Sequence, residues 1–124
     1  ELQLQGFIAK RYRLFRDLDT WLAFNRESTD GTVGSRFHVN MASLLSGRPA
    51  TWFVHDSRTL ELCEKLALPQ VTMESALERP YRDILKSTDF EPMFNALEEN
   101  FERFNDFLRA ADLPQILKPP LDAA

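Results

Sequence analysis

The run Ala50-Thr51-Trp52-Phe53-Val54, set between Pro49 and His55-Asp56, constrains the fold more than any other stretch of the chain. It is apolar except at Thr51, with no polar alternation. A strand of that kind leaves no face for solvent, so it belongs inside a parallel sheet covered by helices on both sides. The flanking segments supply that setting. Thr32 to Ser35 reads as a brief strand ending at Gly34. Phe37, Met41, Leu44 and Leu45 then fall at i, i+4, i+7 and i+8, one face of a short helix. Gly47 closes that helix as its C′ residue, and Pro49 prevents its continuation. Asp56 or Ser57 caps the next helix, which turns Thr59, Leu62, Cys63 and Leu66 inward. Pro69 breaks it, and Gln70 to Met73 reads as another strand. This β-α-β-α-β order predicts an α/β fold: a small, Rossmann-like parallel sheet with right-handed crossovers and helices on both faces.

The ends of the chain are less regular. Leu2, Leu4, Phe7 and Ile8 are apolar, but Gly6 interrupts a helical pattern. Tyr12 to Phe15 alternates roughly and reads as a short strand, which would bring the sheet to about four strands. Asp17 caps a helix carrying Leu18, Trp21 and Leu22, and that helix is expected to stop near Asn25–Ser28, before Thr29-Asp30-Gly31. Beyond Met73 the pattern is helical. A short helix around Tyr81–Lys86 leads to Asp89 as a cap, with Pro92 tolerated in the first turn that follows. Phe94, Leu97, Phe101, Phe104 and Leu108 step by 3, 4, 3 and 4 along one face of this last helix. Such a stripe either closes its own domain or docks on a neighbour. Phe101 and Phe104 are therefore expected on the sheet or in a homodimer contact. Residues 1–113 form one domain with a C-terminal helical extension, and 114–124, with three prolines, an extended tail.

Composition narrows the function classes. A chain of 124 residues has the length of one domain, and 44% hydrophobic residues suffice for a core. A net charge of −4 without a basic stripe argues against nucleic acid as a partner. The uninterrupted apolar runs are far shorter than the roughly 20 residues of a membrane span. Cys63 is the single cysteine, which excludes an internal disulfide and fits a reducing, cytoplasmic setting. The chain starts at Glu1 with no signal-peptide pattern, which leads us to expect an excised piece.

Two segments can carry chemistry. Gly34-Ser35-Arg36-Phe37-His38-Val39-Asn40 lies where a strand gives way to a helix. Free N–H groups and the helix dipole favour an anion at such a junction. Arg36 adds a planar cationic fork, and His38 can transfer a proton near neutral pH. Arg and His near a helix terminus are common structural residues, so on spacing alone the functional signal is weak. His55-Asp56-Ser57-Arg58 follows the next strand, and ligands of open parallel sheets bind outside those strand ends. Here the bland reading is a cap beside a solvated Arg58. A His55–Asp56 relay is not expected, because neighbours on a strand point to opposite faces. The chain carries no glycine-rich dinucleotide fingerprint, no Walker loop and no nucleophile elbow. Cys63 reads as a small buried hydrophobe, and no metal ligand set has recognisable spacing.

The segment from Gly34 to Ala42, continued by Ser46-Gly47-Arg48-Pro49-Ala50, His55-Asp56-Ser57-Arg58-Thr59, Glu61-Leu62 and Leu68-Pro69, resembles the polysaccharide pyruvyl transferase family. Members carry a Gly-(Ser/Thr)-Arg-x-His-Gly-Asn segment, a Gly-x-Pro before the next strand, and an acidic-Ser-Arg turn. The resemblance spans roughly Asp17 to Met73. It implies the C-terminal, donor-binding half of a two-domain, GT-B-like enzyme. Such enzymes move a pyruvyl group from phosphoenolpyruvate, as co-substrate and without a cofactor, to hydroxyls of a saccharide acceptor in exopolysaccharide biosynthesis. By position, His38 would be the catalytic proton donor, and Arg36, Ser35, Asn40, Ser57 and Arg58 would bind substrate. Val39 stands where the family has glycine, which would narrow the pocket. The N-terminal half would be a missing partner, so turnover from this chain alone is not expected. A nucleotide-sugar glycosyltransferase-like domain and a degenerate, non-catalytic binding module are the alternatives on the same fold class.

Overall fold

The alternation read from Thr32 to Met73 folds as a three-stranded parallel sheet in the computed structural model, which describes residues 2–116. The elements in chain order are α1 (Leu2–Arg11), α2 (Leu18–Ser28), β1 (Thr32–Gly34), α3 (Phe37–Leu45), β2 (Ala50–Val54) and α4 (Ser57–Lys65). They continue with β3 (Gln70–Thr72), α5 (Met73–Glu78), α6 (Tyr81–Lys86) and α7 (Glu91–Ala110). The strands lie in the order β1-β2-β3, with Gly34 opposite Trp52 and Val54 opposite Thr72. All three carboxyl ends therefore share one edge.

The apolar strand is central, as its composition demands. Ala50 and Trp52 are fully buried, and with Cys63 and Leu68 they form a core that Phe37, Met41, Leu44, Leu66 and Met93 complete. This face belongs to α3 and α4. Successive strand residues point to opposite faces, so Thr51 turns the other way, where its hydroxyl meets that of Thr88 beside buried Ile84 of α6. Helices α5 and α6 cover that second face, and α2 packs along α3. No described helix is long and apolar enough to cross a membrane. Cys63 is buried as expected, and burial pushes its thiol up to about 11.

Helix ends follow local chemistry. Gly47, at φ +77°, closes α3 in a Schellman turn: its N–H donates to Leu44 and that of Arg48 to Ser43. The same turn closes α4, where Ala67 and Leu68 donate to Glu64 and Cys63, but Ala67 occupies the left-handed position at φ +51°. A Cβ there costs about 1 kcal/mol. Ala67→Gly is therefore expected to stabilise the domain by about 1 kcal/mol and raise the melting temperature by about 4 °C. Thermal unfolding followed by circular dichroism checks this. Gly31, at φ +149°, is demanded twice over, since a Cβ would lie 2.6 Å from the Pro49 carbonyl oxygen.

Four readings need correction. Tyr12 to Phe15 is not a strand and the sheet has three described strands, because Phe15 stacks on Trp21 and packs on Phe24 of α2 instead of pairing. Gly6 does not interrupt α1, since glycine costs a helix only about 1 kcal/mol and does not forbid it. Asp89 lies one residue before the N-cap position of α7, and its carboxylate accepts from Glu91 N at 2.9 Å. Leu45 is 62% exposed, whereas Leu44 packs inward. The C-terminal stripe is also only half covered: Leu97, Phe101 and Leu108 are half-buried, while Phe94 and Phe104 are exposed, as is Phe107 outside the stripe. Of the expected tail, residues 114–116 carry no regular structure, and Ile116 exchanges two hydrogen bonds with the buried Asn105 side chain. Residues 117–124 lie outside the described residues.

Candidate functional site at the carboxyl edge of the sheet

Because β1 and β2 run parallel, the turns that follow them emerge side by side, and each leads directly into a helix. Between these turns lies a groove of about 730 Å³ lined by Arg36, His38, His55, Asp56 and Arg58, with Phe37, Thr59 and Leu62 beneath. Arg36, His38 and Arg58 thus share one groove, as their spacing on the two turns suggested. Ser35 lines it too. Ser57, the first residue of α4, is exposed and does not.

The two helix starts differ. Asp56 caps α4, its Oδ1 accepting from Thr59 N at 2.6 Å. Arg36 occupies the N-cap position of α3, where a guanidinium cannot accept, so no side chain caps this helix. The first intrahelical bond runs from Asn40 N to Arg36 O, which leaves the preceding N–H groups and the positive end of the dipole open to solvent or a ligand. His38 lies in that first turn, its ring edge-on to Phe37 with centroids 5.9 Å apart. Arg36, His38 and Arg58 are all exposed, and none makes a side-chain hydrogen bond or ion pair among the described residues. The groove therefore presents cationic and imidazole groups, with the Asp56 carboxylate as its one anion and no ion pair made by Arg36 or Arg58 among the described residues.

Its one carboxylate is already engaged. His55 Nε2 lies 3.0 Å from Asp56 Oδ2, contrary to the sequence expectation. β2 ends at Val54, so His55 is past the strand and strand alternation no longer separates it from Asp56. The Thr59 amide and hydroxyl bonds, followed by the charges of His55 and Arg58, hold the Asp56 carboxyl below its usual range. The sign follows directly. A carboxyl with a lowered folded value contributes stability above its unfolded value, near 4, and loses it as pH falls through the folded value. Asp56→Asn keeps an acceptor at the cap without that titration. Urea midpoints between pH 5 and pH 3 are expected to fall less steeply in this variant than in the native chain.

The structure gives Asn40 a task other than ligand contact. It is 1% exposed, and its Nδ2 donates to the carbonyls of Gly34 at 2.9 Å and Thr51 at 3.3 Å. Asn40 thereby ties the turn bearing Arg36 to β1 and β2, a positioning role. Ser35, Arg36 and Val39 also border a second cavity of about 480 Å³, whose far side is Asp30, Tyr81 and Arg82. Val39 is 39% exposed on the wall between the two spaces, where the resemblance led us to expect narrowing. The sequence offered no signal for this second cavity, because Tyr81 and Arg82 reach it from α6, far along the chain.

Among the described residues, no group of three or more His, Cys, Asp or Glu side chains gathers in a way that would hold a metal ion. No family model, curated protein or solved structure matches the chain.

Proposed function

We propose that the chain is the donor-binding half of a cytoplasmic, pyruvyl-transferase-like enzyme of polysaccharide synthesis, and that its groove receives the anionic end of phosphoenolpyruvate. The observation that carries this reading is the meeting of Arg36, His38 and Arg58 at an uncapped helix start in one groove. Two fixed cations and open N–H groups suit a small dianion, and an imidazole beside them suits proton transfer. The Arg-x-His segment and the family resemblance supply the identity of the donor. In the two-domain, GT-B-like arrangement that the resemblance implies, this α/β unit forms one wall of the cleft, and a facing half supplies the other with the acceptor saccharide.

The chemistry then runs as follows. Arg36, Arg58 and the first N–H groups of α3 hold the donor's phosphate or carboxylate. His38 gives its proton to the methylene carbon, turning it into the methyl group and leaving positive charge at the neighbouring carbon. A sugar hydroxyl adds there, and its proton returns to the His38 imidazole. The carbon–oxygen bond to the phosphate then breaks, a second hydroxyl closes the ketal, and that hydroxyl's proton leaves on the phosphate as hydrogen phosphate. Arg36 and Arg58 serve this sequence by stabilising the departing phosphate. Ser35 adds a hydroxyl at the rim, and Asn40 keeps the turn in place.

Calorimetric titration of the native chain with phosphoenolpyruvate, inorganic phosphate and UMP tests the reading. We expect phosphoenolpyruvate to bind in the millimolar range, about −4 kcal/mol, because one wall alone cannot exclude water. Binding of UMP without phosphoenolpyruvate would replace this reading by a nucleotide-sugar transferase. Val39, which narrows the groove where glycine would open it, supports a third reading: a binding module without turnover. On that reading Val39→Gly leaves donor affinity unchanged, whereas the transferase reading expects it to tighten.

A further inference from the structure

The sheet stops at β1 with one side of that strand open. In the order β1-β2-β3, β1 pairs with β2 and with no other described strand. The Thr32 amide donates to the Pro49 carbonyl, so Thr32 and Gly34 turn their main-chain groups toward β2. Alternation along the strand then points the N–H and C=O of Val33 to the open side. Among the described residues no turn or loop group bonds to either of them. An unpaired edge of this kind is a template for another strand.

The open side has the shape of a strand's berth. The second cavity, of about 480 Å³, runs along it, with residues 30–35 as one wall. Val39 of α3 borders it from one face of the sheet, and Tyr81, Arg82 and Leu85 of α6 from the other. A strand residue takes up about 3.3 Å along the chain, 4.8 Å between strands and 10 Å between layers, roughly 160 Å³. The cavity therefore has room for about three residues, the length of β1 itself. Val39, 39% exposed, and Tyr81, 62% exposed, offer apolar surface on both faces of that space. Asp30 precedes the amino end of β1 and Arg36 follows its carboxyl end. Neither forms an ion pair among the described residues.

We propose that the open edge of β1 takes a fourth strand. Its occupant is an extended peptide segment parallel to β1, apolar in its middle, basic at its amino end and acidic at its carboxyl end. Parallel strands belong where helices cover both faces. That direction sets the basic end beside Asp30 and the acidic end beside Arg36. The main chain of Val33 supplies the adhesion of strand addition, and the two end charges select the direction. This inference does not rest on what the groove binds.

Two free hexapeptides test it on the isotope-labelled full chain: Lys-Thr-Val-Val-Thr-Asp and its charge-reversed counterpart Asp-Thr-Val-Val-Thr-Lys. Amide exchange and chemical shifts are read at Val33 and Gly34 by NMR. In the chain without peptide, the Val33 amide is expected to exchange about tenfold faster than that of Gly34, which faces β2. The first peptide should shift and slow the Val33 amide, and bind about fivefold tighter than the second through its two end charges. Val33→Pro should abolish binding and keep a cooperative thermal transition, because the amide it removes faces away from the ladder. Asp30→Lys, at an exposed and unpaired position, should erase the preference between the two peptides. A Val33 amide already protected without peptide overturns the proposal, since this chain or a second copy would then hold the edge. So does a Val33 amide unmoved by about 10 mM of the first peptide, or equal binding of the two.

Discussion

Trp52→Ala is expected to remove a large share of the stability of this domain. Trp52 is the largest fully buried side chain, sits on the central strand, and packs against Phe37 with ring centroids 5.6 Å apart. Replacing such a residue by alanine leaves a cavity and costs about 4 kcal/mol. Domains of this size hold only about 5–15 kcal/mol in total. We expect the melting temperature to fall by about 15 °C, or the cooperative transition to disappear. Trp52→Phe separates packing from polarity. The indole Nε1–H is buried without a partner among the described residues, and an orphaned donor costs about 1–3 kcal/mol. Removing it with the smaller ring offsets part of the lost volume, so this variant should lose less than half as much. Thermal unfolding of the two variants side by side checks the ranking.

Arg36→Ala is expected to remove phosphoenolpyruvate binding while leaving the fold intact. The side chain is exposed and makes no hydrogen bond among the described residues, so its loss breaks no bond seen there. A hydrogen bond to a charged group contributes about 1.5–3 kcal/mol, which is roughly 10- to 100-fold in affinity. Millimolar binding weakened that far gives no titration signal. Arg36→Lys should recover part of the signal, because it restores the charge without the planar fork. Lys65→Ala is the control: Lys65 lies in the last turn of α4, about 12 Å along the helix from its start at Ser57, and does not line the groove. Calorimetry at low salt with unchanged unfolding midpoints is the measurement, and equal signals from Arg36→Ala and the native chain would remove Arg36 from the site.

What could be read in the sequence was what local pattern determines. The continuous apolar run at Ala50–Val54 specified a buried parallel strand. Gly47 and Asp56 announced a helix end and a helix start, and each does so in the structure. The gathering of Arg36, His38 and Arg58 followed from one topological fact, that parallel strands place their carboxyl ends on one edge. Where the reading failed, non-local or competing contacts decide. The aromatic packing of Phe15 on α2 overrides the alternation of Tyr12 to Phe15. Burial adds a positioning bond that the sequence did not show: the Asn40 amide nitrogen donates to the carbonyls of Gly34 and Thr51. The expectation that His55 and Asp56 point apart applied strand alternation to two residues beyond Val54, where the strand had already ended. The cavity that joins Asp30 to Tyr81 and Arg82 has no periodicity to betray it.

The chain contains two histidines, and both line the proposed groove. Their ring protons therefore report on the site alone. The most direct test is a one-dimensional proton NMR titration of the native chain with phosphoenolpyruvate at low salt and constant pH. Shifts of both histidine Cε1–H signals along one saturation curve, with a midpoint in the millimolar range, are the predicted result. Signals that stay fixed at saturating phosphoenolpyruvate, or that move with UMP and not with phosphoenolpyruvate, would contradict the account.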